Sequence, residues 1–108
     1  MQVQGLGPNF LMKVILQNAG SFPVIQSMLI FSFDSTLYIM GHKNTSKQVI
    51  QVPLLLTGPK HEIETEIQSI DPQGKSGQVL IYLYNNTYSL SSPVISASIK
   101  MPVSELSL

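Results

Sequence analysis

The sequence predicts an all-β domain, a two-sheet antiparallel β-sandwich of seven to eight strands. Three observations carry this. Apolar and polar residues alternate over short runs, the period of a strand with one buried face. The runs recur about every ten residues between clusters of Gly, Pro, Asn, Asp and Ser. No stretch has a convincing helical period with helical caps. A chain of 108 residues makes one domain, 1–108, and neither a repeat nor a linker divides it. Its direct run from Met1 into a strand pattern suggests a fragment of a longer protein.

The elements follow in order. Val3 to Gly7 is a short strand softened by two glycines, and Gly7-Pro8-Asn9 turns. Phe10 to Gln17 places Phe10, Met12, Val14 and Leu16 on one face. Asn18 to Ser21 turns again. Val24 to Phe33 is long and apolar, with Ile25, Leu29, Phe31 and Phe33 in phase; its Val, Ile and Phe content favours a strand. Asp34-Ser35 leads into Leu37 to Met40, then a polar loop, Gly41 to Ser46. Val49 to Val52 is extended, and Pro53, having no N–H to donate, ends its ladder. Leu54 to Leu56 cross a core or edge before the turn Thr57 to Lys60. From His61 the alternation is strict: Ile63, Thr65 and Ile67 on one face, Glu62, Glu64, Glu66 and Gln68 on the other. Asp71 to Gly77 is a hairpin-type loop. Val79 to Tyr84, apolar on both faces, is a central strand, and Asn85 to Thr87 turns. Pro93 to Met101 places Ile95, Ala97, Ile99 and Met101 inward, and the tail after Pro102 frays or binds elsewhere.

Hydrophobic residues make up 44% and charged residues 11%, below the usual quarter or so. Six lysines balance six acidic residues with no arginine. Nucleic-acid binders carry a basic excess rich in Arg, so that class is disfavoured. A net charge of zero favours association, a hint of life inside a larger assembly. Without Cys there is no disulfide framework or thiolate metal site, which fits a reducing compartment. No apolar run is long enough to span a bilayer as a helix.

Few residues suggest chemistry. Gly74-Lys75-Ser76 resembles the end of a phosphate loop. The earlier glycine of that motif is Ser69 here, and a strand follows instead of a helix. His61 beside Glu62, Glu64 and Glu66 suggests a metal, but strand alternation points His61 away from the carboxylates. The three Glu are then a solvated strand face or an acidic strip facing a basic partner. No serine sits in a nucleophile elbow, so no enzyme, cofactor or metal is expected. Phe10, Phe22, Phe31 and Phe33 fill the core. Tyr38, Tyr82, Tyr84 and Tyr88 suit half-buried or interface sites. Asn44-Thr45-Ser46 and Asn85-Asn86-Thr87 match the glycosylation sequon.

Several segments go beyond generic sandwich sequence. They are Val3-Gln4-Gly5-Leu6-Gly7-Pro8 with Phe10, Leu16-Gln17-Asn18, Leu37-Tyr38, Val52-Pro53-Leu54-Leu55, Gly58 and Glu64-Thr65. Gly74, Pro93, Ser96-Ala97 and Met101-Pro102 complete them. Nearly end to end, the chain resembles the C-terminal γ-adaptin-ear-like (GAE) domains of the Bardet–Biedl syndrome protein 1 family, subunits of the BBSome; the loop Gly41 to Lys47 departs. The resemblance implies an immunoglobulin-like, γ-adaptin-ear-like sandwich in a complex that moves membrane proteins to and from cilia. It implies a cytoplasmic and ciliary location, and small-GTPase binding by an N-terminal propeller outside this chain.

Three readings compete. The first is a non-catalytic module packing on other BBSome subunits, with Glu62, Glu64, Glu66, Tyr82 and Tyr84 as the candidate interaction surface. The second is an ear-like binder of short peptides from cargo or accessory proteins. The third is an extracellular adhesion sandwich, which needs glycan at Asn44 or Asn85.

Overall fold

A computed structural model describes residues 1–40, 47–85 and 94–105. The expected polar loop at 41–46 with Asn44, the turn at Asn86-Thr87, Tyr88 and the end of the tail lie outside them. Among the described residues the strands are β1 Gln2–Gln4, β2 Asn9–Gln17, β3 Val24–Ser32, β4 Tyr38–Met40, β5 Lys47–Leu55, β6 Lys60–Ser69, β7 Gln78–Asn85 and β8 Ile95–Lys100. They form two four-stranded sheets, β1-β2-β6-β4 and β5-β3-β7-β8, antiparallel at each ladder. The predicted all-β sandwich is the observed fold.

Local alternation sets the core. Phe10, Met12 and Val14 of β2 and Ile67 of β6 meet Leu29 and Phe31 of β3 and Val79, Ile81 and Leu83 of β7. Each fully buried side chain of this size contributes about 1.5–3 kcal/mol in transfer free energy.

Several expectations change. Asp71 to Gly77 is not a hairpin loop, because β6 and β7 belong to different sheets; it carries the chain across the sandwich. Gly5 and Gly7 end β1 early, at φ +112° and +86°, in a region that side chains other than glycine avoid. Phe22 is 79% exposed rather than core. Asn18 organises that turn by donating Nδ2 to the carbonyls of Phe22, at 2.8 Å, and Leu55, at 3.1 Å, and the ring is left outside. Tyr38, in contrast, is 1% exposed. Its hydroxyl oxygen accepts the Gly77 amide at 3.0 Å, and burial raises its pKa despite that bond.

Another change concerns strand phase. Pro53 does not end its strand, since β5 lies on the sheet edge and runs on to Leu55. Gln26, opposite Pro53, takes φ +56°, and the β3–β5 register skips this one position. Side chains change face there. Val52 and Leu55 are both buried although an even alternation would separate them. Val24 packs on the core, and Ile25, expected inside, is 52% exposed.

The last strand and the tail also depart from expectation. Met101 is buried, but Ile95 is 59% exposed and Ala97 is exposed, because β8 is the sheet edge. The tail is held as far as Glu105. Ser104 N–H donates to Gly74 O at 3.1 Å, and Glu105 N–H to Leu6 O at 2.7 Å. Gly7 and Gly74 make room for Ser104, whose atoms would lie 2.4 and 2.5 Å from a Cβ at either position.

Candidate functional site

The predicted surface residues fall on two opposite outer faces, not in one site. Strict alternation in β6 turns Glu62, Glu64 and Glu66 outward from the β1-β2-β6-β4 sheet, opposite Ile15, Lys13 and Leu11 of β2. Lys13 Nζ lies 3.4 Å from Glu62 Oε1 and 3.4 Å from Glu64 Oε1. Hydrogen bonding to Glu62, then to Glu64, raises the lysine pKa. Two of the three carboxylates therefore share one cation, and the strip stays net negative. Beside it is a shallow depression lined by Gln4, Leu11, Ile39, Glu66 and Gln68. His61 faces inward with its Nε2 buried, away from the three Glu as alternation requires.

The outer face of β5-β3-β7-β8 has the opposite chemistry. Ile30 lies between Val49 of β5 and Tyr82 of β7, Met28 pairs with Tyr84, and Ser32 with Leu80. The Tyr82 and Tyr84 rings are 6.4 Å apart and tilted by 50°. Both tyrosines are half-buried. Among the described side chains, the ionised group on this face is Lys100, in register with Gln78 at the end of β8. Met28 and Ile30 were missed as surface residues. The signal was present: Met28 to Phe31 are apolar at four consecutive positions, so one face of this strand had to lie outside the core.

Two other motifs resolve into structural roles. In the Asp71 to Gly77 loop, Asp71 Oδ2 accepts the amides of Gln73 at 3.0 Å and Lys75 at 2.9 Å. Those N–H groups are thus turned to a carboxylate rather than to a phosphate. Asn85 is 2% exposed. Its Nδ2, the atom a glycan would need, donates to Ile25 O and Ser27 Oγ, each at 2.9 Å. This folded state does not present Asn85 as an acceptor.

A similar short-range device sits at the β3–β4 turn. Asp34 Oδ1 accepts the Thr36 hydroxyl at 2.6 Å and the Thr36 amide at 2.8 Å. The hydroxyl first, then the amide, holds the carboxyl below its ordinary pKa. With a folded pKa below the unfolded one, the stabilisation is present above the unfolded pKa and is lost as pH falls through the folded pKa. Carbon-detected NMR titration should find Asp34 titrating below an ordinary Asp, and Thr36→Val should move it back up. An Asp34 that titrates in the ordinary range would contradict this.

The two packed antiparallel sheets define the class, a two-sheet β-sandwich domain. The sequence model of the family described as Bardet-Biedl syndrome 1 protein, GAE domain, matches residues 1–107. The mouse BBSome complex member BBS1 is 34% identical over 104 residues, 95% of this chain and 16% of that protein. Its human counterpart is 32% identical over the same extent. The chain belongs to the Bardet-Biedl syndrome 1 protein GAE-domain family, and it spans about a sixth of the length of these relatives.

Proposed function

We propose that this chain is a non-catalytic protein–protein interaction domain of a BBSome subunit. In this reading it is the C-terminal part of a longer protein and packs on other subunits of a complex that moves membrane proteins to and from cilia. It works in the cytoplasm, at the cilium and its base, and small-GTPase binding falls to another part of the chain. The observation that carries the reading is the cluster of Met28, Ile30, Leu80, Tyr82 and Tyr84 on this outer face, five side chains with no ionised group at neutral pH. Interface cores are depleted of charge and enriched in Tyr and Met. Glu62, Glu64 and Glu66 add a polar surface on the other side that steers a basic partner.

An ear-like site for acidic peptides would need gathered cations. Lys13 is held by two glutamates. Of the other described lysine side chains, Lys60 is on β6, Lys75 in the loop after it and Lys100 on β8, and among the described residues this arrangement supports docking over peptide capture.

The test is co-expression of the full-length protein with the other BBSome subunits. Tyr82→Glu places a charge on the apolar face and should reduce co-purification about tenfold or more. Glu64→Lys should have a smaller effect, mainly on the rate of association. A folded Tyr82→Glu protein retained as well as the wild type would refute this use of the face.

A further inference from the structure

We propose that β8 pairs with β8 of a second copy of this chain, antiparallel about a two-fold axis at Ala97, joining two four-stranded sheets into one. The inference rests on the strand edge and goes beyond the docking face above. Among the described residues β8 is the outer strand of its sheet. Its ladder with β7 is unbroken from Gln78–Lys100 to Leu83–Ile95, so no bulge twists the edge away. It contains no proline, and its one charge is the terminal Lys100. The opposite edge, β5, carries Pro53 and the change of phase. Edges that must stay unpaired normally carry such devices, and β8 lacks them.

The sequence of this edge is self-complementary. Residues 95–99 read Ile-Ser-Ala-Ser-Ile, the same in both directions. Antiparallel strands of a continuous sheet must pair residues that face the same side. Pairing about Ala97 meets that condition: Ala97 faces its own copy, Ile95 meets Ile99 of the second copy, and Ser96 meets its Ser98. The inner row is then Ile, Ala, Ile, and the outer row is paired serines, both favourable cross-strand combinations.

Exposure supports the same occupant. Ile95 is on the core-facing side of the sheet, opposite Leu83, yet is 59% exposed; Ala97 beside it is exposed too. Ile99, which packs partly on the core, would arrive from the second copy next to Ile95. Charge does not oppose the pairing. Each Lys100 would lie against Val94 of the other copy, so the two ammonium groups sit about 20 Å apart along the strands, beyond the roughly 8 Å Debye length at physiological salt.

The experiment is sedimentation equilibrium on this chain from low micromolar to near-millimolar concentration, with circular dichroism confirming the fold. The wild type should move from the 11.9 kDa monomer to twice that mass. Ala97→Asp or Ala97→Lys alone places like charges across the two-fold and should weaken the dimer about tenfold or more. An equimolar mixture of the two variants should recover it as a heterodimer. A wild type that stays monomeric, an Ala97→Asp protein that dimerises as well as the wild type, or a mixture that fails to recover would each overturn the proposal. Hydrogen exchange on the wild type reads the same contact without a variant. Amides of β8 that point away from β7 should gain protection as concentration rises, and unchanged protection would also overturn it.

Discussion

Gly74→Ala should cost about 3–4 kcal/mol, through two separable effects. The residue sits at φ +69°, where a β-carbon is strained by about 1–2 kcal/mol. The added atom would also lie 2.5 Å from Ser104 O, and that neighbour is backbone, which cannot rotate aside. Either Gly74 or the 102–105 segment must move. Moving the segment threatens the Ser104-to-Gly74 bond and, through it, the Glu105-to-Leu6 bond. For a domain of this size the loss should lower Tm by roughly 15 °C or more. Gly58→Ala is the control. That glycine also has positive φ, +95°, but nothing lies within 4 Å of the new Cβ, so only the backbone term of about 1 kcal/mol remains. In a chain ending at Met101 the Gly74→Ala penalty should shrink to the Gly58 value. Urea unfolding of the five proteins (wild type, the two variants, the shortened chain and its Gly74→Ala variant) decides it. Equal costs at Gly74 and Gly58 in the full chain would show that the tail is not clasped.

Elements whose signal is local were legible in the sequence. β2 and β6 alternate on their own, so Phe10, Met12 and Ile67 could be placed inside, and Glu62, Glu64 and Glu66 outside, before any pairing was known. The shift at Gln26 was not legible: it depends on a positive φ at an ordinary residue and on Pro53 lying opposite it in another strand. Gly7 and Gly74 could be read as turn residues. Their shared role, room for Ser104, joins segments 97 and 30 residues from it in sequence and has no local mark. Similarly, the chemistry of Tyr82 and Tyr84 and of the three Glu was readable. That they lie on opposite sides of the molecule follows only from β6 and β7 belonging to different sheets.

Asn85→Ala should cost about 2–3 kcal/mol, because it removes a buried donor from two acceptors at once. The phase change at Gln26 turns the Ile25 carbonyl toward the end of β7, where Asn85 Nδ2 reaches both it and Ser27 Oγ. Water has poor access there, since Asn85 and Ser27 are 2% and 1% exposed. Ser27→Ala should cost less, as the carbonyl keeps its donor. Asn85→Asp is the sharper probe. It matches the amide in shape but, when ionised, sets a negative oxygen against a carbonyl in a dry site. Burial and that repulsion raise the folded pKa of the new carboxyl above its unfolded value of about 3.9. The folded state then binds more protons than the unfolded state, so stability falls as pH rises. Asn85→Asp should therefore come closest to wild-type stability near pH 4, where the protonated acid can donate to the Ile25 carbonyl, and diverge toward pH 7. Denaturant midpoints of wild type and variant across that range measure the gap. A gap that does not widen with pH would mean that position 85 is reached by water, and that the change of phase is held by the Gln26 backbone alone.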